Sequence, residues 1–252
     1  MQIEDQMRIM QEEHRSVQVC DDYAIIRPAE VNSSLDGKLV QEDIASGSAA
    51  VIKAINANSI FRELCCNCKH VQCSSGERLR TIPVGNYDSS VMFINKQPSL
   101  YEAAAGVPFS DECGVFLTLI LQKMNVRRND VYMTDYIKCR AEGINEQSYN
   151  NCINNFIMEE IKLVKPAVIV TNGLSLLRTM GSHGIILGLP ANTAYGNMYD
   201  VTAGGNNTKI MAMYDLDKVL AKTGNDYEKC KNELWQQLLQ VFKLVARKDW
   251  RI

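Results

Sequence analysis

The sequence predicts an α/β protein in which a mainly parallel sheet is covered by helices on both faces. Short apolar runs of strand length alternate with helical stripes along the chain, the pattern left by strands joined through helical crossovers. One run, Ala167 to Val170, opens at Pro166 and reads as a short buried strand. The chain has 252 residues, 46% of them hydrophobic and 22% charged, which is enough for one domain with a real core plus extensions.

Residues 1–40 form a polar N-terminal extension with a possible helix over Asp5 to Arg15, and residues 41–252 form the domain. Val31 to Gly37 reads as a loop. A helix carrying Val51, Ile55, Phe61 and Leu64 on one face leads into a cluster of cysteines. Val91 to Ile94 is a strand, Gly114 to Met124 an apolar helix and Val131 to Ile137 a second strand. Ile153, Phe156, Ile157, Ile161 and Val164 give a helical stripe; after Ala167 to Val170, Gly173 introduces a helix through Met180. Gly181 to Thr208, rich in Gly, Asn and Thr, is expected to be loops, and Lys209 to Tyr214 is the fourth strand. Leu234, Leu238, Val241 and Val245 mark a C-terminal helix, widened by Trp235, Leu239 and Phe242, that docks on the core.

A net charge of −2 argues against a generic nucleic-acid coater, so any such contact has to come from a local basic patch. Candidates are Arg127-Arg128 and Lys138 with Arg140, which read equally well as a solvated face. The start, Met1-Gln2-Ile3-Glu4-Asp5, lacks the apolar stretch of a signal peptide, and runs such as Phe116 to Leu121 are too short to cross a bilayer. The expectation is a soluble, cytoplasmic or otherwise intracellular protein with no membrane partner.

Nine cysteines in a reducing compartment do not suit a disulfide framework. Cys65 and Cys68 form a C-x-x-C pair, and Cys139 and Cys152 follow at a strand end and in the next helix. Two thiolates from one turn and two from elsewhere complete sulfur ligation of one centre, either an iron–sulfur cluster or a structural zinc. Cys66 and Cys73 are rival ligands, and Cys20, Cys113 and Cys230 are given no role.

The order of motifs brings a family into view. After the C-x-x-C come Pro83-Val84-Gly85-Asn86, Val91-Met92-Phe93-Ile94, Pro98, Gly106-Val107-Pro108-Phe109 and Gly114. Arg128-Asn129-Asp130-Val131-Tyr132, Lys138-Cys139-Arg140, Cys152 and Pro166-Ala167-Val168-Ile169-Val170 complete the series. Across about residues 45 to 220 the chain resembles the family 4, iron–sulfur uracil-DNA glycosylases. The resemblance implies a three-layer α/β/α fold around a short, mainly parallel sheet. It also implies a [4Fe-4S] cluster on Cys65, Cys68, Cys139 and Cys152, favouring iron–sulfur over zinc. By the same likeness the base pocket holds Pro98, Phe109 as the stacking aromatic, and Asp135 at the base-reading position. The partner is DNA, single-stranded or with a base flipped from the stack.

Three positions depart from that family's pattern. Its first motif, Gly-Glu-x-Pro-Gly, is here Asn95-Lys96-Gln97-Pro98-Ser99, which puts Lys96 in place of the acidic residue. Its base-reading asparagine is Asp135; an ionised carboxylate accepts from a base but cannot donate to uracil O4, and better suits an amino group such as cytosine's. Its His-Pro-Ser motif is Asp215-Leu216-Asp217, and a carboxylate there opposes the charge growing on a departing uracil. Lys96 and Asp215 are therefore positional candidates for catalysis rather than working equivalents. His183, in a loop, and Tyr101 or Glu102, near the first motif, are the residues to compensate, although a lone loop histidine is more often solvated. The leading expectation is a DNA-binding protein of replication or repair without ordinary uracil excision. The alternatives are a glycosylase with altered base choice, and an accessory subunit that meets a protein partner through the N-terminal extension.

Overall fold

The computed structural model describes residues 80–140, 150, 152 and 156–246. The expected N-terminal extension, the helix before the cysteines and Cys65 to Cys73 lie outside the described residues. Within them a seven-stranded sheet forms in the order β1-β3-β2-β4-β7-β6-β5. Its parallel centre is β3 (Tyr132–Asp135), β2 (Val91–Asn95), β4 (Val168–Asn172) and β7 (Asn206–Met213). These runs are almost wholly buried, as strands covered on both faces must be. Antiparallel strands complete it: β1 (Val84–Gly85) beside β3, then β6 (Met198–Ala203) and β5 (Ile186–Leu187) beyond β7.

The helices are α1 (Leu100–Ala105), α2 (Glu112–Lys123), α3 (Met158–Val164), α4 (Leu174–Ser182), α5 (Leu216–Leu220) and α6 (Gly224–Leu244). One sheet face, with Met92, Ile94, Tyr132, Ile169, Ile210 and Ala212, packs on Ile161 and Val164 of α3 and Leu176, Leu177 and Met180 of α4. The other face meets α6, where Phe93 lies 6.5 Å from Phe242 between ring centroids, and α5 packs on both α2 and α6. The three-layer arrangement expected from the sequence is the one observed. None of the described helices is long and apolar enough to cross a membrane.

The segment 181–208, expected to be loops, instead holds β5 and β6. The two-residue turn Gly204-Gly205, with φ of +57° and +77°, folds β6 back on β7 as a tight hairpin. Positive φ at both central residues matches the twist of paired strands and favours glycine there. That Gly-Gly pair between two alternating runs was a legible hairpin signal.

Lys138, expected as a possible phosphate contact, is buried. Its ammonium donates to Thr134 and ion-pairs with Glu160, whose Oε2 accepts from the Tyr132 hydroxyl at 3.1 Å. Glu160 Oε1 is the oxygen that meets that ammonium. Burial and the Glu160 charge push the Tyr132 phenol well above its ordinary value. Removing one partner of such a pair strands a charge in the core. We expect Lys138→Met to lower the free energy of unfolding by about 3 kcal/mol. Lys138→Met combined with Glu160→Leu should recover most of that loss; urea denaturation of both variants is the measurement.

Candidate functional site

The parallel centre dictates where a site can form. β2 runs out toward β3 on one side, whereas β4 runs out toward β7 on the other. The order of connections therefore reverses between β2 and β4, and in open α/β sheets ligands meet the carboxyl ends of the strands at such a point. Asn95 ends β2 in register with Asp135 of β3, and Asn172 ends β4. The period of two turns all three toward the face covered by α2, α5 and α6.

They form one hydrogen-bonded chain. Thr81 Oγ1 donates to Asp135 Oδ2 at 2.5 Å, and Asn95 Nδ2 donates to Asp135 Oδ1 at 3.0 Å. Asn172 Nδ2 donates to Asn95 Oδ1 at 3.1 Å, while Asn172 Oδ1 accepts from the Leu216 amide at 3.0 Å. Asn95 Nδ2 also reaches the Gln97 carbonyl at 3.0 Å. Asp135 is wholly buried, and both of its oxygens are engaged by the protein itself. Burial first, then the nearby Glu102 charge, raises its carboxyl to about 7, against the pull of Thr81, Lys138 and Asn95. Near neutral pH it is thus a mixture of acid and carboxylate, not the fully ionised group expected from the sequence.

Glu102 is a structural clamp. Ser99 caps α1 by accepting from the Glu102 amide, and Glu102 Oε2 accepts from the Ser99 amide at 2.6 Å, a reciprocal capping box. Its other oxygen accepts from the Phe109 amide at 2.6 Å. One buried carboxylate therefore ties the turn at Pro98, itself buried, to Phe109. Desolvation raises its pKa despite these donors. Phe109 adopts φ of +53°, uncommon for a bulky residue, and only 2% of it is exposed. Arg128 secures the same turn by donating to the Pro108 carbonyl. Gly114 is required beneath it, because a Cβ there would lie 1.8 Å from the Phe109 carbonyl oxygen.

Asp215 follows β7 at the start of α5 without capping it. Its Oδ2 accepts from the Tyr195 hydroxyl at 2.7 Å and pairs with Lys218 at 3.2 Å. Gly173, at φ of +97°, makes room for it: a Cβ at that position would sit 2.3 Å from Asp215 Oδ1. Lys96 is exposed, and its backbone carbonyl accepts from the Ile137 amide. His183 Nδ1 lies 2.8 Å from the hydroxyl of Tyr136, which belongs to the core cluster of the α3 and α4 face. The structure thus gathers Asp135, Phe109 and, through Asn172 and Leu216, the Asp215 turn. It leaves Lys96 at the surface and His183 engaged elsewhere. Sequence reasoning gave Asn172 no role and Asn95 only a place in the first motif; both are amides at the end of an apolar strand, where a polar residue breaks the run.

Two of the expected cluster ligands are described. Cys152 is buried in the α3 and α4 core, and Cys139 packs against the same cluster. An antiparallel bridge joins Cys139 to Arg80, and the Thr81 amide donates to the Lys138 carbonyl at 2.8 Å. The chain that follows the Cys65 to Cys73 stretch is therefore fastened next to Cys139, and the span from Cys73 to Arg80 is short. Both thiols thus belong to one packed cluster, while Cys65 and Cys68 lie outside the described residues.

A family model described as the uracil DNA glycosylase superfamily matches residues 82–239, more than half of the chain. The type-4 uracil-DNA glycosylase of Archaeoglobus fulgidus is 26% identical over 140 residues, covering 54% of this chain and 70% of that protein. The one from Pyrobaculum aerophilum is 29% identical over 145 residues, covering 55% and 71%. That of Thermotoga maritima is 30% identical over 95 residues, covering 37% and 50%.

Asp135 also sets a pH dependence. Its folded value, about 7, lies above the ordinary 3.8, so between those values the folded state holds more protons than the unfolded one. Stability then falls as pH rises from about 4 to about 7, and the loss levels off above that range. Asp135→Asn keeps the bonds to Asn95 and Thr81 without the buried charge. It should match the parent near pH 4 and exceed it by a few kcal/mol at pH 8; urea melts across that range are the check, and equal slopes for the two proteins would count against the assignment.

Proposed function

The chain belongs to the uracil DNA glycosylase superfamily, and from that membership we propose that it is an iron–sulfur protein that binds DNA in replication or repair without ordinary uracil excision. The observation that carries this reading is Asp215, a carboxylate fixed by Tyr195 and Lys218 beside the strand-end network. Cleavage of a glycosidic bond sends negative charge onto the departing base, and a carboxylate beside it raises the barrier where a donor would lower it. Lys96 is exposed and places an amine where the family's first motif has a carboxylate, so it does not stand in for the acidic residue beside the attacking water. It suits a phosphate instead, as does the exposed Arg140.

A second reading, an active glycosylase with altered base choice, draws on the Asp135 carboxyl. In its neutral form it offers a donor and an acceptor, as an amide does. A non-DNA accessory role through residues 1–40 is the third. The four cysteines Cys65, Cys68, Cys139 and Cys152 would hold a [4Fe-4S] cluster, which here would staple the edge of the core to the segment before β1; structural zinc is the alternative.

Excision from single-stranded oligonucleotides carrying uracil, hydroxymethyluracil, xanthine or hypoxanthine separates the first two readings. No turnover by the native protein is expected, and Lys96→Glu with Asp215→His is the gain-of-function comparison; release of any base by the native protein defeats the binding-only reading. DNA affinity should fall steeply with added salt as phosphates are neutralised, whereas the accessory reading predicts no such slope. Anaerobically purified protein should be brown with iron and sulfide in near-equal amounts, and Cys139→Ser should lose both and unfold more readily. A colourless protein containing zinc would refute the iron assignment.

A further inference from the structure

We propose that the Asn95 side chain is a built-in occupant of the base-reading position, an internal carboxamide that fills the hydrogen bonds a nucleobase edge would use. The proposal rests on the reading of Asp135 as the base reader in the proposed function, and it explains how that reader is kept covered. A carboxamide places a C=O beside an N–H, the same acceptor and donor pair that uracil presents along O4 and N3–H. Asn95 uses both halves. Its N–H bonds Asp135 Oδ1 at 3.0 Å and its C=O takes a hydrogen from Asn172 Nδ2 at 3.1 Å.

Position and burial agree with this role. Asn95 and Asn172 are half-buried, whereas Asp135 is fully buried, with Asn95 and Thr81 bonded to its two oxygens. The two asparagines end β2 and β4, the strands between which the order of connections reverses. Asn95 is also held from its own side by the Gln97 carbonyl, and Asn172 is fixed by the Leu216 amide. A base entering to meet Asp135 Oδ1 has to displace the Asn95 amide from it. The loss of that charge-assisted bond by the Asn95 amide makes the exchange unfavourable.

Free uracil and free cytosine, titrated into the full-length protein and followed by saturation-transfer NMR, provide the test. Asn95→Gly removes the whole side chain and should bind one of the two bases about tenfold more tightly than the native protein, or better. Asn95→Ala should do the same with a smaller gain. Equal binding by native and variant proteins, or binding by neither, overturns the proposal. Should the variants not fold, the native Asn95 side-chain amide gives a second readout: slow hydrogen exchange is expected, and exchange as fast as that of a solvated asparagine overturns the proposal. The free-base measurement involves neither DNA nor turnover. A native protein that excised uracil would therefore remove the proposed function, whereas an Asn95→Gly variant that gained nothing would remove only this inference.

Discussion

Polar side chains set at the ends of buried parallel strands have to find partners within a few ångströms, and the site is organised by that requirement. The β2–β3 register puts Asn95 against Asp135, and β4 brings Asn172 to the same level. Bulk solvent offers Asp135 no alternative, because it is fully covered. Its carboxyl therefore draws in Thr81 from the segment before β1 and Asn95 from β2. Asn172 passes the connection on to the start of α5. Five segments distant in sequence are aligned by one run of hydrogen bonds, and burial together with the neighbouring Glu102 charge raises the Asp135 carboxyl.

The clamp at Glu102 works by the same physics on a second turn. A carboxylate taking two backbone amides fixes both the entry to α1 and a phenylalanine in a left-handed conformation. Strain of that kind persists only where the surroundings over-determine it. Gly114 beneath the Phe109 carbonyl and Arg128 on the Pro108 carbonyl supply that constraint. The aromatic ring is thus positioned by backbone chemistry rather than by packing alone.

Much of the architecture was legible. Apolar runs gave all four central strands to within a few residues, and the stripes gave α2, α4 and α6, because burial on both faces leaves a strong signal. The hairpin of β6 and β7 was missed because the Gly, Asn and Thr content of 181–208 reads as loop, although Gly204-Gly205 marked the turn. Short helices α1 and α5 left no periodic signal of useful length. At the site, Phe109 and Asp135 were found through motif likeness, but their partners were not. That Lys138 is a core residue paired with Glu160, and that Glu102 is a clamp, follows from long-range contacts which no local pattern encodes.

Both borders of the seven-stranded sheet are two-residue strands, Val84–Gly85 on one side and Ile186–Leu187 on the other. Among the described residues, each border strand itself offers a foreign strand only two residues to pair with. Gly85 bends the first border at φ of +98°, and it fits only because it has no side chain to strike the Val131 carbonyl. Such blunted margins discourage copies of the chain from zipping together edge to edge, a safeguard against aggregation that a sheet with long apolar central strands needs during folding.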